Sequence, residues 1–433
     1  MIAQLIFLLF TIAAVVLFTI NVRKIIRNIN LGRPLNRSDR KAERLMVMLK
    51  VAFGQTKMTK KPVAAILHFF VYVGFIIINL EVLEIIIDGL FGTHRIFAAP
   101  LGGIYSFLIG SFEILAALVL VGVIAFYARR NFIRLKRFTG VEMTSWPKSD
   151  ANYILIIETL LMAAFLIMNA ADYRLQQLGS LHYIEAGAFP ISGLIAPYLP
   201  SSESALIMIE RSCWWFHILG ILAFLNYLPY SKHFHILLAF PNTYYSNLEP
   251  KGEFSNMASV SNEVKAMLDP SYTPEPIAEG GKFGAKDIND LSWKSLMEAY
   301  TCTECGRCTS ACPANMTGKL LSPRKIMMDT RDRMEEVGKN IDKHGKDFKD
   351  DKSLLGNYIS QEEIWACTTC NACTEACPVN IDPLSIIMEL RRFSVMEESQ
   401  APASLNAMLG NVENNGAPWK YSPADRLNWA ETK

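Results

Sequence analysis

Five long apolar stretches limit most strongly how this chain can fold. They run from about Ile2 to Val22, Val63 to Ile87, Leu101 to Tyr127, Tyr153 to Ala171 and Ala205 to Phe240. Each reaches the roughly 20 residues that a helix needs to cross a bilayer. Backbone polar groups find no water in the hydrocarbon region, so such segments fold as helices. The sequence therefore predicts a five-helix transmembrane bundle over residues 1–240.

Basic residues indicate how this bundle is oriented. Twelve Lys or Arg lie between Arg23 and Lys61 and six between Arg129 and Lys148, whereas the other two loops have one each, Arg95 and Arg174. By the positive-inside rule the basic loops are cytoplasmic and the N-terminus is outside. The first stretch has no basic leader or cleavage site, which indicates a retained helix. We expect a multi-pass protein of the bacterial inner membrane whose basic loops contact lipid headgroups and not nucleic acid.

Eight of the nine cysteines form two repeats of C-x-x-C-x-x-C-x-x-x-C-P, from Cys302 to Pro313 and from Cys367 to Pro378. In iron–sulfur proteins this spacing places three thiolates on one cluster and the fourth on its neighbour. The first 4Fe-4S cluster would take Cys302, Cys305, Cys308 and Cys377, and the second would take Cys367, Cys370, Cys373 and Cys312. A zinc site is the less favoured alternative, since the paired cysteines of zinc sites usually lie further apart along the sequence. Thiolate ligands also favour a reducing compartment, the cytoplasm.

Three histidines lie in or beside the apolar stretches and are candidate haem ligands: His68, His217 and His235. If the fifth span is one straight helix, His217 and His235 differ in depth by about 27 Å and cannot share an iron. His68 and His235 then lie at similar depths and form the preferred pair, and His217 would serve a second haem. A kink at Pro229 would make His68 with His217 the alternative pair.

Other polar residues are expected to have ordinary surroundings. His233 is expected at the headgroup surface, and His94 and His182 in solvated outer loops. Glu81 and Glu84 should be interfacial. Arg307 and Arg324 are expected to be solvated, although their charge could raise a cluster potential. Cys213 is expected to be an apolar packing residue.

The sequence of residues 241–433 predicts three further segments. Residues 241–285 are rich in Pro, Gly, Ser and Asn and predict a linker. Residues 286–395 predict a cytoplasmic, α-helical, ferredoxin-like dicluster domain, and residues 396–433 an extended tail.

These motifs resemble known families. CTECGRCTSACPANMTGKLLSP and EIWACTTCNACTEACPV resemble the dicluster module of heterodisulfide-reductase-related iron–sulfur oxidoreductases. WWFHILGILAFLNYLPYSKHFHILLAFPN resembles the gamma subunit of respiratory nitrate reductase, a five-helix dihaem cytochrome b. On this resemblance His217 and His235 match fifth-helix haem ligands and His68 a second-helix ligand. The nitrate-reductase pattern has another second-helix histidine ten residues away, where this chain has Met58 or Ile78.

The resemblance implies an electron-transfer subunit of a quinone-linked oxidoreductase. Electrons would pass between a soluble partner and quinone through two 4Fe-4S clusters and haem b. Related proteins have a cysteine-rich CCG domain that this sequence lacks, so a partner chain would supply that domain or a flavin. The alternative is a membrane anchor or redox sensor without quinone turnover. A thiol reductase is disfavoured because all eight motif cysteines are assigned as ligands.

Overall fold

The computed structural model describes residues 1–273 and 282–431. Its internal contacts divide the chain into two compact units. The membrane unit contains Met1–Arg27, Arg40–Tyr244 and Tyr300–Gly306, and the cluster unit contains Asn28–Asp39, Tyr245–Ala299 and Arg307–Lys433. The described residues contain helices and turns but no β-strand. The predicted mainly α fold is therefore confirmed.

Five helices of the membrane unit are long and apolar enough to cross a bilayer, as predicted. In chain order the unit contains α1 (Ile2–Ile29), α2 (Lys41–Met48), α3 (Pro62–Phe91), α4 (Gly103–Asn131), α5 (Trp146–Gln177), α6 (Glu203–Tyr227) and α7 (His235–Tyr244). The membrane-length helices are α1, α3, α4, α5 and α6. Short helical turns lie at Leu49–Phe53, Ala98–Leu101, Lys136–Phe138, Ser192–Ile195 and Ala196–Tyr198.

Successive long helices run in opposite directions, so the unit has two ends. We call the end with loops 92–102 and 178–202 the distal end. The proximal end contains residues 49–61, 132–145 and 228–235. Between them Phe7, Ile78, Phe112, Phe165 and Trp214 form an apolar core. Cys213 packs against this core, as expected.

The fifth predicted span, Ala205 to Phe240, is not one continuous helix. α6 ends at Tyr227, a turn covers Leu228–Tyr230, Ser231 is extended, and α7 begins only at His235. Pro229 is the physical cause, because proline has no N–H to donate and its ring collides with the preceding helical turn. The depth difference expected between His217 and His235 assumed one straight helix, and that assumption is wrong.

Asp150 stabilises the chain where it leaves the helix. Its buried carboxylate accepts hydrogen bonds from the Ser231 hydroxyl at 2.7 Å and from the Lys232 N–H at 3.1 Å. The Tyr227 hydroxyl donates a third bond to it. The break is thus stabilised by tertiary hydrogen bonds as well as by proline.

Two acids expected at the interface are in the interior instead. Glu81 and Glu84 are each only 3% exposed. The α3 helix continues to Phe91, so both acids lie more than one turn before its end. Glu84 faces the protein interior, because it accepts hydrogen bonds from the Phe97 N–H and the Tyr105 hydroxyl.

The cluster unit is also helical. Its helices are α8 (Ala258–Leu268), α9 (Trp293–Thr301), α10 (Arg307–Ala311), α11 (Pro323–His344), α12 (Gln361–Ala366), α13 (Ala372–Ala376), α14 (Pro383–Met396) and α15 (Ala403–Asn415). Shorter turns lie at Ile288–Asp290, Pro313–Met316, Leu354–Tyr358, Pro423–Asp425 and Asn428–Glu431. Fully buried apolar side chains, among them Ile288, Leu296, Ile326, Ile387 and Leu390, give the unit its own core.

The predicted linker and tail contain more helix than expected. Within residues 241–285, α7 extends to Tyr244 and α8 occupies Ala258–Leu268, while residues 274–281 lie outside the described residues. The tail is not extended throughout, because α15 occupies Ala403–Asn415. Pro402 precedes this helix and Gly416, at φ 62°, ends it. Glycine adopts this left-handed conformation readily after a helix.

Candidate functional site

The two cysteine loops have the same backbone pattern. Glu304 and Thr369, each two residues after the first cysteine of its motif, have φ of 56°. Gly306 and Asn371, each directly after the second cysteine, have φ of 72° and 58°. Glycine and asparagine are the residues that enter the left-handed region most easily. Two such turns within seven residues curl each loop, as a chain must do to surround a cluster.

The helices around the loops repeat as well. α9 and α12 end just before the first cysteine of each motif, and α10 and α13 contain the third. α10 and α13 pack against each other. Farther along, Ser322–Pro323 begins α11 and Asp382–Pro383 begins α14, with the Ser or Asp side chain capping the helix. The chain therefore contains two copies of one structural unit, arranged around the cysteines.

The four cysteines predicted for the second cluster lie near one another. Cys312 and Cys370 interact electrostatically with Cys367, and so does Cys373. Burial raises the pKa of Cys367 and raises that of Cys373 to about 12. Buried thiols of this kind become thiolates when a metal binds them. The structure therefore brings Cys312 of the first motif to the second motif.

The other four predicted ligands are divided between the units. Cys302 and Cys305 belong to the membrane unit, and Cys308 and Cys377 to the cluster unit. Within residues 1–273 and 282–431, no three His, Cys, Asp or Glu side chains converge closely enough to hold a single metal ion. A 4Fe-4S cube binds each thiolate through a different iron, so its ligands stand further apart than those of one ion.

Backbone and arginine donors surround the second motif. The Thr369 N–H donates to Cys367 Sγ at 3.4 Å, and the Ile381 N–H donates to Cys377 Sγ at 3.3 Å. Arg391 donates to the carbonyls of Ile364 and Cys367 and acts electrostatically on the Cys367 thiol. Hydrogen bonds and positive charge at the sulfurs raise cluster potentials. These donors fit a thiolate-bound cluster.

Arginines near the motifs are less solvated than expected. Arg324 is 1% exposed and Arg307 is 8% exposed, so the expectation of solvated side chains is wrong. Sequence reasoning missed Arg391 altogether. It lies 14 residues after Cys377, the last cysteine of the second motif, and only the packing of α12 and α14 brings it to Cys367.

Two of the predicted haem ligands have oriented imidazoles. His217 Nδ1 lies 3.0 Å from the Leu161 carbonyl oxygen, and His235 Nδ1 lies 3.0 Å from that of Lys232. A bond from Nδ1–H to a carbonyl fixes the tautomer that presents Nε2 to a metal. Burial also lowers the pKa of His235, which favours the neutral ring that a metal requires. These residues fit axial ligation of a haem.

His233 does not lie at the surface, contrary to expectation. Its side chain is only 13% exposed, and its ring centroid lies 5.6 Å from that of His235 and 5.3 Å from that of Phe224. Burial lowers the pKa of His233 to about 3, and His235 and His68 act in the same direction. The structure therefore brings His68, His233 and His235 together at the proximal end. The break at Pro229 causes this, because a straight helix would have directed His233 elsewhere.

The two histidines of the distal loops, His94 and His182, differ from each other. His182 is exposed, as expected. His94 is not solvated, because its side chain is 10% exposed and its Nε2 lies 3.4 Å from Asp172 Oδ2. The His94 and His182 ring centroids are 5.7 Å apart.

An apolar cavity of about 290 Å³ lies between α5 and α6, and one of its lining residues is Leu161, whose carbonyl oxygen bonds His217. Its lining residues are Ile157, Leu160, Leu161, Phe216, Gly220, Ala223, Phe224 and Tyr227. A Cβ at Gly220 would come within 2.6 Å of Leu161 Cδ2, so the close approach of the two helices requires glycine there. The cavity offers an apolar group a place next to an oriented imidazole.

Lys232 connects the histidine segment to the first cysteine loop. Its ammonium group forms a buried ion pair with Glu304, which lies between Cys302 and Cys305. The same group donates to the Pro147 carbonyl at 2.6 Å and lies 3.8 Å from Asp150 Oδ2. Burial lowers the pKa of Lys232, while Glu304 and Asp150 favour its charged form. Because the Lys232 carbonyl also bonds His235, one residue contacts both candidate sites.

Comparison with known proteins agrees with the cysteine loops. Residues 301–381 match the family described as "4Fe-4S dicluster domain". The C-terminal part of the chain therefore contains a 4Fe-4S dicluster domain. No solved structure matches the chain.

Curated relatives extend the similarity to the membrane unit. The chain is 30% identical to "Probable iron-sulfur-binding oxidoreductase FadF" of Bacillus subtilis (strain 168), over 99% of this chain and 60% of that protein. It is 28% identical to "EtfAB:quinone oxidoreductase" of Syntrophomonas wolfei, over 92% of this chain and 55% of that protein. A "Probable membrane-anchored ferredoxin" of Chromohalobacter salexigens is 31% identical over 34% of this chain and 24% of that protein. The chain thus spans well under two thirds of the length of each of these relatives.

Proposed function

We propose that this chain transfers electrons between a soluble catalytic or flavoprotein partner and quinone in the membrane, through two 4Fe-4S clusters and haem b. The observation that carries the proposal is the contact between Lys232 and Glu304. It joins the first cysteine loop to the segment that contains His233 and His235 within one compact unit. Electron transfer needs redox groups held close together, and the protein's part is to fix their distance and potential.

The cysteines would hold the clusters in the predicted sets. Cys312 would join Cys367, Cys370 and Cys373 on one cluster, and the proximity of Cys312 and Cys367 supports this exchange between motifs. Cys377 would join Cys302, Cys305 and Cys308 on the other. The Arg391 guanidinium and the N–H groups of Thr369 and Ile381 would stabilise the thiolate sulfurs.

Histidines of the membrane unit would hold haem b, which supplies one-electron chemistry when bound. His68 and His235 are the proposed pair at the proximal end because both act electrostatically on His233, and His217 would serve a second haem. The break at Pro229 keeps His68 with His217 as the alternative pair. The Leu161 carbonyl orients the imidazole of His217 for this role, and the Lys232 carbonyl orients that of His235. The buried His233 is a competing ligand, and substitution has to distinguish it from His235.

Quinone and a catalytic partner are suggested by relatives. One similar protein is named an EtfAB:quinone oxidoreductase, and others are heterodisulfide reductase subunits that carry a comparable iron–sulfur region. We propose the same class of reaction here, in a bacterial inner membrane with the clusters in the cytoplasm. The basic loops at the proximal end support this orientation.

A redox-sensing membrane anchor is the second candidate. The similarity to a probable membrane-anchored ferredoxin favours it. In that case the clusters would form but would not exchange electrons with quinol. Reduction of the clusters by a quinol analogue in the purified protein would support the first candidate over the second.

The test is an anaerobic purification with iron, acid-labile sulfide and haem measured in the same sample. We expect about eight non-haem irons and eight sulfides per chain, because two cubes hold four irons each, and one further iron for each haem. His235→Gln should remove a haem signal with its iron and leave the non-haem iron unchanged, and His233→Gln should leave both unchanged. His344→Gln, in the cluster unit, is the matched control. Zinc in place of iron, or no porphyrin absorbance, would refute the proposal.

A further inference from the structure

Five carboxylates are buried within the membrane-length helices near the distal end. Their exposure does not exceed 3%, and they are Glu81, Glu84, Glu113, Asp172 and Glu210. Charged groups in this region cost several kcal/mol each unless they are paired or have a role in transport. The burial of each of these five carboxylates therefore needs a physical explanation.

Four of the five have a structural role. Glu84 accepts hydrogen bonds from the Phe97 N–H at 2.9 Å and the Tyr105 hydroxyl at 2.8 Å. Glu113 accepts the N–H groups of Ile191 and Ser192 at 3.0 and 3.1 Å. These bonds hold the distal loops against the helices.

The other two pair with arginines. Glu210 accepts hydrogen bonds from Arg211 and from the Tyr183 hydroxyl. Asp172 pairs with Arg95 at 2.6 Å. Both therefore have a charged or hydrogen-bonding partner that accounts for their burial.

Glu81 is different. Its Oε2 atom is buried and has no hydrogen-bond partner among the residues that the structure describes. The charged groups that face it are Glu84 on its own helix, Glu113 on α4, Asp172 on α5 and Arg95 in the loop after α3. Three acids and one base surround it, so a proton is the partner that best satisfies this oxygen.

A series of polar contacts leads from the distal surface toward Glu81. The exposed His182 lies beside His94, whose Nε2 is 3.4 Å from Asp172. His94 Nδ1 is buried and, within residues 1–273 and 282–431, has no hydrogen-bond partner. The ring therefore has one nitrogen toward an acid and the other able to exchange a proton.

The series continues through Arg95 into α3. The Arg95 Nε donates to Asp172 at 2.6 Å, and its Nη1 donates to the Tyr105 hydroxyl at 3.1 Å. Tyr105 in turn bonds Glu84, which is one helical turn from Glu81 on the same face. Arginine stays protonated in proteins, so Arg95 does not pass a proton on. It holds Asp172 and Tyr105 in one hydrogen-bonded network that ends at Glu84.

The inner end of the series approaches His217. Ile78, one turn before Glu81, packs in the same apolar core as Phe165 and Ile218. The ring centroid of Phe165 lies 5.7 Å from that of His217. Residues beside Glu81 and beside the His217 imidazole proposed to hold a haem therefore belong to the same apolar core.

We propose that Glu81 is a redox-linked proton site, close to a polar network that begins with His182 and His94 at the distal surface. The inference rests on the proposed haem at His217. A haem bound there would supply one-electron chemistry and would exchange its electron with the proposed clusters or with quinol. On reduction of that haem the Glu81 carboxylate would take up one proton from the distal side and become a carboxylic acid, and on reoxidation it would release that proton.

Potentiometric titration of the haems in the purified full-length protein, repeated at several pH values, tests this. The wild-type haem should show a midpoint that falls with pH, approaching 59 mV for each tenfold change in proton concentration over part of the range. Glu81→Gln should remove most of that slope, and Glu81→Asp should keep part of it. Glu185→Gln, an exposed carboxylate in a distal loop, should match the wild type.

A second measurement can be made on the wild-type protein, and the variant serves only to assign its signal. Redox-difference infrared spectra of the wild type should contain the carbonyl band of a carboxylic acid, which Glu81→Gln removes. His94→Gln should slow the appearance of this band and leave its final size unchanged. If Glu81→Gln does not fold, the wild-type spectrum alone decides, and absence of the band would refute the proton site.

The possible failures are distinguishable. A protein without haem overturns the proposed function and the proton site together. A protein with haem whose midpoint depends on pH equally in the wild type and in Glu81→Gln overturns only the proton site.

Discussion

Lys232 is the residue on which both candidate sites depend. Its side chain is 9% exposed and lies between Glu304 and Asp150, each 2% exposed. Lys232→Met would leave two buried carboxylates without their cation, a change that costs about 3–5 kcal/mol in comparable buried pairs. We expect the first cluster to lose iron to a chelator at least tenfold faster, as measured by the decay of cluster absorbance.

The control for this change is Lys148→Met, an exposed lysine near the same end of the unit. It should lose iron at the wild-type rate. In Glu304→Gln the ion pair is also broken, so Lys232→Met should add little in that background if the two residues act together. Fully additive effects would show that Lys232 acts through Asp150 alone.

At the residue scale, spacing predicted the type of domain well and the surroundings of individual side chains poorly. The cysteine periods identified a dicluster domain because thiolates wrap a cluster within one short loop, a local property of the chain. His233 and Arg391 could not be placed, because each reaches its site only after distant segments pack. His233 needs the break at Pro229, and Arg391 needs α14 against α12.

The helix α11 depends on one buried guanidinium. Arg333, 3% exposed, donates to Asp287 at 2.7 Å, to Asp350 at 2.7 Å and to the Lys352 carbonyl at 2.8 Å. The helix thereby anchors the segments before α9 and after its own C-terminus. Arginine suits this position because its planar fork can bind two carboxylates at once.

Arg333→Met should therefore lower the free energy of unfolding of the cluster unit by about 3–5 kcal/mol. Arg333→Lys should recover only part of the loss, since an ammonium group cannot reproduce the fork. Lys339→Met, 79% exposed on the same helix, should change it by less than about 0.5 kcal/mol. Thermal unfolding of the full chain, followed by cluster absorbance, measures all three, and equal midpoints for Arg333→Met and Lys339→Met would contradict the argument.

At the element scale, hydrophobic length predicted the five membrane helices but not where the last one ends. A sliding-window hydropathy average does not detect the helix break at Pro229, because the residues after this proline are as apolar as those before it. For the C-terminal tail, the sequence predicted too little helix. Its Pro and Asn content suggested extended chain, yet the residues between Pro402 and Gly416 form a helix with proline and glycine at its boundaries.

At the scale of the whole molecule, the cysteine loops and the helical cores should respond differently to loss of the clusters. The cluster unit has an apolar core between α11 and α14, with Ile326 and Ile387 fully buried, so these helices do not depend on metal alone. The cysteine loops, in contrast, should depend on the clusters for their shape, because metal binding and folding are coupled at such sites. Anaerobic chelation should therefore release the loops and leave both cores folded.

Limited trypsin digestion tests this because Arg307, in the first motif, is 8% exposed and should be protected while the cluster is bound. After chelation we expect cleavage after Arg307, with circular dichroism losing only a small part of its helical signal. The exposed Lys339 should be cut at similar rates before and after chelation, which controls for protease activity. Loss of most of the helical signal would mean that metal holds the entire cluster unit together. An unchanged digestion pattern would mean that the loops fold without it.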